Sequence, residues 1–389
     1  MSPDRKIRVG VLFGGRSAEH EVSLQSAKNI IEALDRDRYE VVLIGIDRRG
    51  TWQLSSSSHF LLYENDPAQI ELSAGGQRVA LLPGEQDRRL VDLTSRRELG
   101  SIDVVFPVLH GPYGEDGTVQ GLLKLADIPF VGAGVTGSAV GMDKDVMKRL
   151  LREAGVPTAR FLLGRGGADG SPGFAEATEA LGLPLFVKPA NLGSSVGITK
   201  VHDAGEFDEA VRTAFQYDTK ILLEEAIEGM EIECSVLGND SPAASLPGRV
   251  IPRGAEFYSY EAKYIDDSGA DLEIPADLDP QTVERIQRRA VEAFQVLCCE
   301  GMARVDFFLR SSDGEILVNE INTIPGFTKI SMYPKLWEVS GLSYPRLLDR
   351  LIELAFERFE RDRGLKTNVE LTKTVTQSQE TGQETEQKE

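Results

Sequence analysis

The amino-acid sequence predicts an α/β protein whose N-terminal third is a doubly wound, mostly parallel sheet. Strand-like apolar runs alternate with helix-like amphipathic runs up to about residue 128, the order that builds parallel sheets through crossover helices. Two polar glycine-rich segments, "GGRSAEHE" and "LHGPYGEDG", fall just past strand ends, where sheets of this kind bind ligands. The length of 389 residues implies two or three domains rather than one.

"IRVGVLFGG" (7–15) reads as a buried strand closed by glycines, and "SLQSAKNIIEAL" (23–34) as a helix with Ser23 in position to cap it. "EVVLIGID" (40–47) and "SIDVVFPVLHG" (101–111) are further strands, and "GTVQGLLKLADI" (117–128) a second helix. Between them, 52–100 is polar and weakly periodic and reads as a surface insertion. "SAVGMDKDVMKRLLREAGVP" (138–157) reads as one helix ended by Gly155 and Pro157. The strand "PLFVKPA" (184–190) leads into the Gly/Ser loop "NLGSSVG" (191–197). "HDAGEFDEAVRTAF" opens a helix with Asp203 and Glu206 at capping-box spacing. "KILLEEAI" and "EIECSVLG" are strands, whereas 252–275 has no strong period and is long enough to be a functional loop. Asp279-Pro280 starts a helix reaching about residue 298, and from about 365 the composition predicts disorder.

Composition narrows the function classes. At 41% hydrophobic and 27% charged residues the chain has the make-up of a globular protein. A formal charge of -19 repels nucleic acid and anionic membranes, so neither is expected as a partner. It leaves small anionic ligands open, because local lysines and arginines override the global field. Cys234, Cys298 and Cys299 have neither metal-site spacing nor the pattern of a disulfide framework, so structural thiols in a reducing compartment are expected. The start lacks a signal-peptide pattern and no apolar run is long enough to span a bilayer, which predicts a cytoplasmic protein.

The most informative stretch is "ILVNEINTIPGF" (316–327), an apolar strand carrying Glu320 and Asn322 one strand period apart. "ARVDFFLR" (303–310) precedes it, and a three-residue loop Ser312-Asp313-Gly314 is a standard hairpin connection. That register puts Asp306 directly opposite Glu320, so Asp306, Glu320 and Asn322 converge through oxygen. Hard oxygen ligands without His or Cys favour magnesium, which nucleotide sites hold through one or two carboxylates and the phosphates. The competing reading is a solvated polar face on an edge hairpin.

"FVKPANLGSSVG" (186–197) sets Lys188 before a small-residue loop whose backbone N–H groups can cradle an anion, although such a loop is also an ordinary hairpin turn. It lacks the spacing of a P-loop. "LLEEAIEGMEIE" (222–233) offers Glu224 and Glu231, either contacts for a base and a ribose or plain surface charges.

Together these segments resemble ATP-grasp ligases, in the order "FVKPANLGSSVG", "EEAIEGMEIECSVLG", "ARVDFF" and "VNEINTIPGFT". With "GGRSAEHEVS", "VFPVLHGPYGEDGTVQG", "GVTGSAVGMDK" and "YSYEAKY" added, the resemblance narrows to the D-alanine–D-alanine ligases and spans roughly residues 7 to 360. It implies ATP held between two antiparallel sheets, and ligation of two D-alanines through an acyl phosphate for peptidoglycan synthesis. It implies two magnesium ions, replaceable by manganese, held by Asp306, Glu320 and Asn322. Lys144, Lys188, Ser194, Ser195, Glu224, Glu225, Ala226, Ile227, Glu231, Lys263 and Asn319 match the ATP contacts. Glu19, Ser194, Tyr264, His110 and Arg304 match the catalytic and first-substrate groups, with Arg304 as oxyanion donor. Gly326 and Ser331 match the groups that receive the second D-alanine. A homodimer is a family expectation.

The resemblance divides the chain into an N-terminal domain 1–133, a central ATP-grasp subdomain 134–228, a C-terminal subdomain 229–364 with lid loop 252–275, and a tail 365–389. Two other readings stand beside it: a ligase taking D-lactate or D-serine as second substrate, and an inactive ATP-binding module. Tyr264 within "YEAKY" favours D-alanine, and the presence of Arg304, Glu320 and Lys188 favours an active enzyme.

Overall fold

The computed structural model describes residues 5–55, 60–64, 66, 69–73, 75–83, 89–166, 170–253 and 270–366. Three main sheets carry the chain. In the first, the strand Ile7–Gly14 runs parallel to Tyr39–Ile46 on one side and to Val104–Val108 on the other. These runs are continuously apolar because both faces are covered, and Val9, Val11, Leu12 and Phe13 are fully buried. The helix His20–Ala33 closes one face with Leu24, Ala27 and Ile30. Where the weak period of 52–100 predicts only an insertion, the structure adds four antiparallel strands to the sheet edge. They are short, with Val79, Leu81 and Leu90 the inward-facing apolar residues, too few to reveal a strand period.

The second sheet orders Phe161–Arg165, Lys220–Glu225, Leu185–Pro189 and Thr199–Val201, all antiparallel. Two helices, Phe174–Leu181 and Ala204–Phe215, bury Ala177, Leu181, Phe207 and Ala210 against it. Both expected acids cap the helix start, though shifted by one residue from a capping box: Asp203 accepts from the Gly205 amide and Glu206 from the His202 amide, both at 2.8 Å. The third sheet orders Ala270–Glu273, Gly248–Pro252, Gly229–Gly238, Gly301–Arg310 and Ile316–Asn322, also antiparallel. Its inner face meets the helix Pro280–Val296, which Asp279 caps. Among the described residues no helix is long and apolar enough to cross a membrane.

Two helices differ from expectation. The first begins at His20, and Ser23 does not cap it; its hydroxyl accepts from the Gly14 amide and donates to the Val108 carbonyl, tying the helix to two strand ends. The stretch expected as one helix over 138–157 is two, Val135–Met142 and Lys144–Glu153. Asp143 breaks it in an extended conformation and accepts from the Asp145 and Val146 amides, both at 3.1 Å. A short acid of this kind competes for backbone amides and so stops one helix while starting another. The break puts Lys144 at the head of a new helix.

One core spans the first and third sheets. Phe327, fully buried, packs against Phe106, Tyr333 and Tyr344, with ring centroids 5.9, 5.6 and 6.1 Å away. Its backbone amide donates to Ser26 and its carbonyl accepts from Asn29, so the segment after the third sheet is threaded onto the first helix.

Candidate functional site

The hairpin register is as expected at the site but arises differently. Asp306 faces Glu320 and Arg304 faces Asn322. At the turn, however, the Arg310 amide pairs with the Glu315 carbonyl, giving a four-residue loop instead of the three-residue loop expected. A β-bulge absorbs the extra residue: Asp306 pairs with Glu320 but Phe307 with Val318, so Asn319 is unpaired. Bulges re-aim neighbouring side chains. Here Asn319 and Glu320 both reach the same cleft while Val318 stays fully buried.

Asp306 is held by two side chains. Arg304 forks onto its two oxygens at 2.7 Å each, and the Asn322 amide donates to it at 2.9 Å. Glu233, opposite Asp306 on the neighbouring strand, meets Arg304 at 2.8 Å. Glu320 pairs with Lys144 at 3.1 Å, and that lysine also donates to the Leu192 carbonyl at 2.7 Å. Among the described residues no group of three or more His, Cys, Asp or Glu converges; this cluster is two carboxylates and an amide. Its donor set is hard oxygen throughout, and both carboxylates already sit against cationic groups. The oxygen donor set fits a magnesium ion completed by phosphate oxygens, which would take the place of Arg304 and Lys144 on these carboxylates.

Lys188 and Glu224 lie on adjacent strands 2.5 Å apart. Glu224 has a second cation, Lys148, at 2.6 Å. Burial pushes Glu224 up, but Lys148 and Lys188 outweigh it and hold the carboxyl below the usual range. Glu225, pointing the other way on the strand, is bound by the Arg160 amide and guanidinium at 2.7 and 2.6 Å. A cleft of about 690 Å³ between the second and third sheets is lined by Lys144, Lys188, Ser195, Glu224, Glu231 and Glu320. Glu225, Ala226, Ile227 and Asn319 also lie along its wall, whereas Ser194, expected among the ATP contacts, does not. A cavity of similar size, about 740 Å³, lies beside Cys298 and Arg358 and holds none of these residues. The chemistry therefore marks the first cleft.

Beyond the loop 191–197 the site continues into the first sheet. Ser194 and Ser195 both take left-handed backbone angles, φ +52° and +61°, which lets the Ser194 hydroxyl turn inward and donate to Glu19. Gly111 is needed nearby because a Cβ there would stand 2.7 Å from a Glu19 oxygen. His110 lies at 2.9 Å from the Ile324 carbonyl, which can only accept, so Nδ1 carries the proton. Burial lowers the His110 pKa to about 4; the Ile324 bond opposes this and the Arg304 charge adds to it. Gly326 and Ser331 lie together, a Cβ on Gly326 standing 2.6 Å from the Ser331 hydroxyl. Lys263 and Tyr264, with most of the loop 252–275, fall outside the described residues.

Three buried ionisable groups escape the sequence reading. Lys148 sits one helical turn after Lys144 in "KDVMK", and Glu233 two residues after Glu231; both follow from the period of their element once its inner face is known. Glu115, in "GPYGEDG", accepts from the Gly111 amide at 3.0 Å and the Ile324 amide at 3.2 Å. Burial, joined by the Glu19 charge, pushes it up to about 8. Nothing in a glycine-rich loop distinguishes such an acid from a solvated one.

A polar cleft between two antiparallel sheets, with lysines at one end and a carboxylate hairpin at the other, is the architecture of an ATP-grasp enzyme. Residues 8–133 match the family model described as D-ala D-ala ligase N-terminus, and 150–353 the D-ala D-ala ligase C-terminus. The chain belongs to the D-alanine–D-alanine ligase family. It is 56% identical to a D-alanine–D-alanine ligase of Shouchella clausii over 94% of this chain and 98% of that one. It is 51% identical to D-alanine–D-alanine ligase A of Escherichia coli over 94% of this chain and 100% of that one. Among solved structures, the D-alanine–D-alanine ligase from Coxiella burnetii superposes with a TM-score of 0.79 at 41% identity, covering 92% of this chain and 96% of that one.

Proposed function

We propose that the chain joins two D-alanine molecules into D-alanyl-D-alanine at the expense of ATP, supplying a peptidoglycan precursor. The observation that carries this reading is the cleft in which Lys144, Lys188 and Glu224 meet Glu320, with Asp306 paired to Glu320 across the hairpin. The γ-phosphoryl group of ATP passes to a carboxylate oxygen of the first D-alanine, giving an acyl phosphate and ADP. The amine of the second D-alanine then attacks that carbonyl carbon, and the C–O bond to phosphate breaks.

Lys188 and the amides around Ser194 and Ser195 hold phosphate oxygens, while Glu224 accepts from the amino group of the base and Glu231 from the ribose. Glu19, fixed by Ser194, receives the ammonium of the first D-alanine; Gly326 and Ser331 receive the carboxylate of the second. Arg304 is aimed where the oxyanion of the tetrahedral intermediate develops, the position at which a donor accelerates acyl transfer. A part for Lys263 and Tyr264 in a lid rests on the family resemblance alone. Asp306, Glu320 and Asn322 would hold two magnesium ions, or manganese in their place, which neutralise phosphate charge during transfer. The domain limits given above, a homodimer and a cytoplasmic location rest on the family resemblance.

Phosphate release from ATP by the purified protein with magnesium and D-alanine, with the dipeptide detected by mass, tests the reading. Release that requires D-alanine is expected. No release under these conditions would falsify it.

A further inference from the structure

Lys148 is the one lysine of the described residues whose side chain is fully buried, and nothing in the proposed chemistry uses it. It stands four residues after Lys144 in the helix Lys144–Glu153, so both face the sheet from adjacent turns. Its ammonium lies 2.6 Å from one oxygen of Glu224, whose other oxygen receives Lys188 at 2.5 Å. Phe161, directly opposite Glu224 on the neighbouring strand, lies with its ring 6.0 Å from the Lys148 ammonium. Glu224 and Lys188 line the cleft, and Lys148 does not. It is placed behind Glu224, out of reach of a ligand.

Two cations around one carboxylate leave an excess positive charge in a dry site, which is costly to bury and holds the Glu224 carboxylate ionised. An ionised carboxylate only accepts hydrogen bonds, and with one site on each oxygen taken by a lysine its remaining lone pairs can face the cleft. An acceptor there suits the exocyclic amine of a 6-aminopurine and repels the oxygen of a 6-oxopurine. With Lys148 removed, the buried Glu224 is freer to take a proton and donate, and the preference weakens.

We infer that Lys148 is a positioning residue that sets nucleobase choice, keeping Glu224 a pure acceptor so that the cleft takes 6-aminopurine and rejects 6-oxopurine nucleotides. The inference rests on the proposed contact between Glu224 and the base. The experiment compares ATP with ITP, which differ in the 6-substituent and in the hydrogen that the 6-oxo form carries on N1, in wild type and in Lys148→Met, a near-isosteric change. The expected result is a KM for ATP raised about 10-fold, kcat at saturating ATP within about 3-fold, and an ATP-over-ITP preference in kcat/KM reduced at least about 10-fold. Preference unchanged, with ATP and ITP weakened equally or not at all, overturns the inference and leaves Lys148 a structural ion. Should Lys148→Met fail to fold, Lys148→Gln, which keeps a donor without the charge, takes the same comparison; loss of folding in both also assigns Lys148 to structure alone. Glu224→Gln separates the two readings. If it leaves the ATP/ITP preference at the wild-type value, the base contact itself is wrong. If it collapses the preference while Lys148→Met does not, only the role of Lys148 is wrong.

Discussion

Glu115 offers the most quantitative test of how this fold is built. Its carboxyl links the loop after the strand Val104–Val108 to the segment that follows the strand Ile316–Asn322, accepting from the Gly111 and Ile324 amides. Burial and the Glu19 charge raise its pKa from 4.5 to about 8, so the folded state binds a proton that the unfolded state releases. The sign follows from linkage: this contribution is fully present below the unfolded pKa and is lost as pH rises towards the folded one. Between about pH 5.5 and pH 8 the loss runs at roughly 1.4 kcal/mol per pH unit, or about 3 kcal/mol in all. Glu115→Gln removes that dependence. It also turns an amide NH₂ towards one of the two backbone N–H groups, at a cost of about 1–3 kcal/mol that does not vary with pH. Near about pH 5.5 the variant is therefore the less stable protein, and near about pH 8.5 the gap closes or reverses. Urea unfolding of both proteins across this range measures the gap, with Trp52 in the first sheet and Trp337 in the core beside Phe327 as reporters. A gap that keeps the same size from end to end would show that Glu115 is ionised in the fold, and the argument would fail.

Glu320→Gln should lower D-alanine-dependent phosphate release by more than about 100-fold with circular dichroism unchanged; unfolding instead would make Glu320 a structural residue. Asp143→Ala removes a cap and leaves Lys220, now 2.6 Å from Asp143, with Asp145 alone at 3.2 Å. A loss of about 1–2 kcal/mol by denaturation, with a raised KM for ATP because Lys144 is misplaced, is expected. Phe327→Ala should cost about 3–5 kcal/mol, read as a large fall in melting temperature. His110, with its pKa lowered to about 4, stabilises the fold above the unfolded value of 6.5 and loses that contribution as pH falls towards 4. Stability of His110→Gln measured against wild type should therefore improve in relative terms on acidification, and an unchanged difference would refute the assignment.

What could be read from the sequence tracks how local each cause is. Asp203 with Glu206, and Asp279 with Pro280, are start signals contained within a few residues, and both helices begin there. The run Val9 to Phe13 is apolar because it is covered on both faces, so it reads as a strand without any partner in view. The break at Asp143 was equally local, but apolar residues continue at helical spacing across it and mask the cap. Lys148, Glu115 and Glu233 owe their burial to segments far along the chain: Glu224 for the first, Ile324 for the second, Arg304 for the third. Single residues carry no mark of such partners. The hairpin shows a subtler limit. A turn one residue longer than expected and an unforeseen bulge at Asn319 cancel, so the register at Asp306 and Glu320 holds although its derivation did not.

The pairing of charges across the cleft bears on how the proposed ligands would be taken up. Asp306 meets Arg304, Glu320 meets Lys144, and Glu224 meets both Lys188 and Lys148, all within a few tenths of an ångström of 2.8 Å. Bringing a triphosphate and divalent cations to such a site exchanges partners; it does not bury new unpaired charge. Cations taking the oxygens of Asp306 and Glu320 would release Arg304 and Lys144, the two groups proposed above for oxyanion and phosphate. Glu233, 2.8 Å from Arg304, would remain its anchor through that exchange, so the guanidinium would be released from Asp306 alone. An arginine held in this way pays little reorganisation when negative charge develops beside it, which is the condition under which a donor contributes most to catalysis. Glu233→Gln should therefore lower kcat more than it changes the KM for either substrate, because the anchor matters when the oxyanion forms. An effect confined to KM, with kcat intact, would place Glu233 in binding and break the link to Arg304.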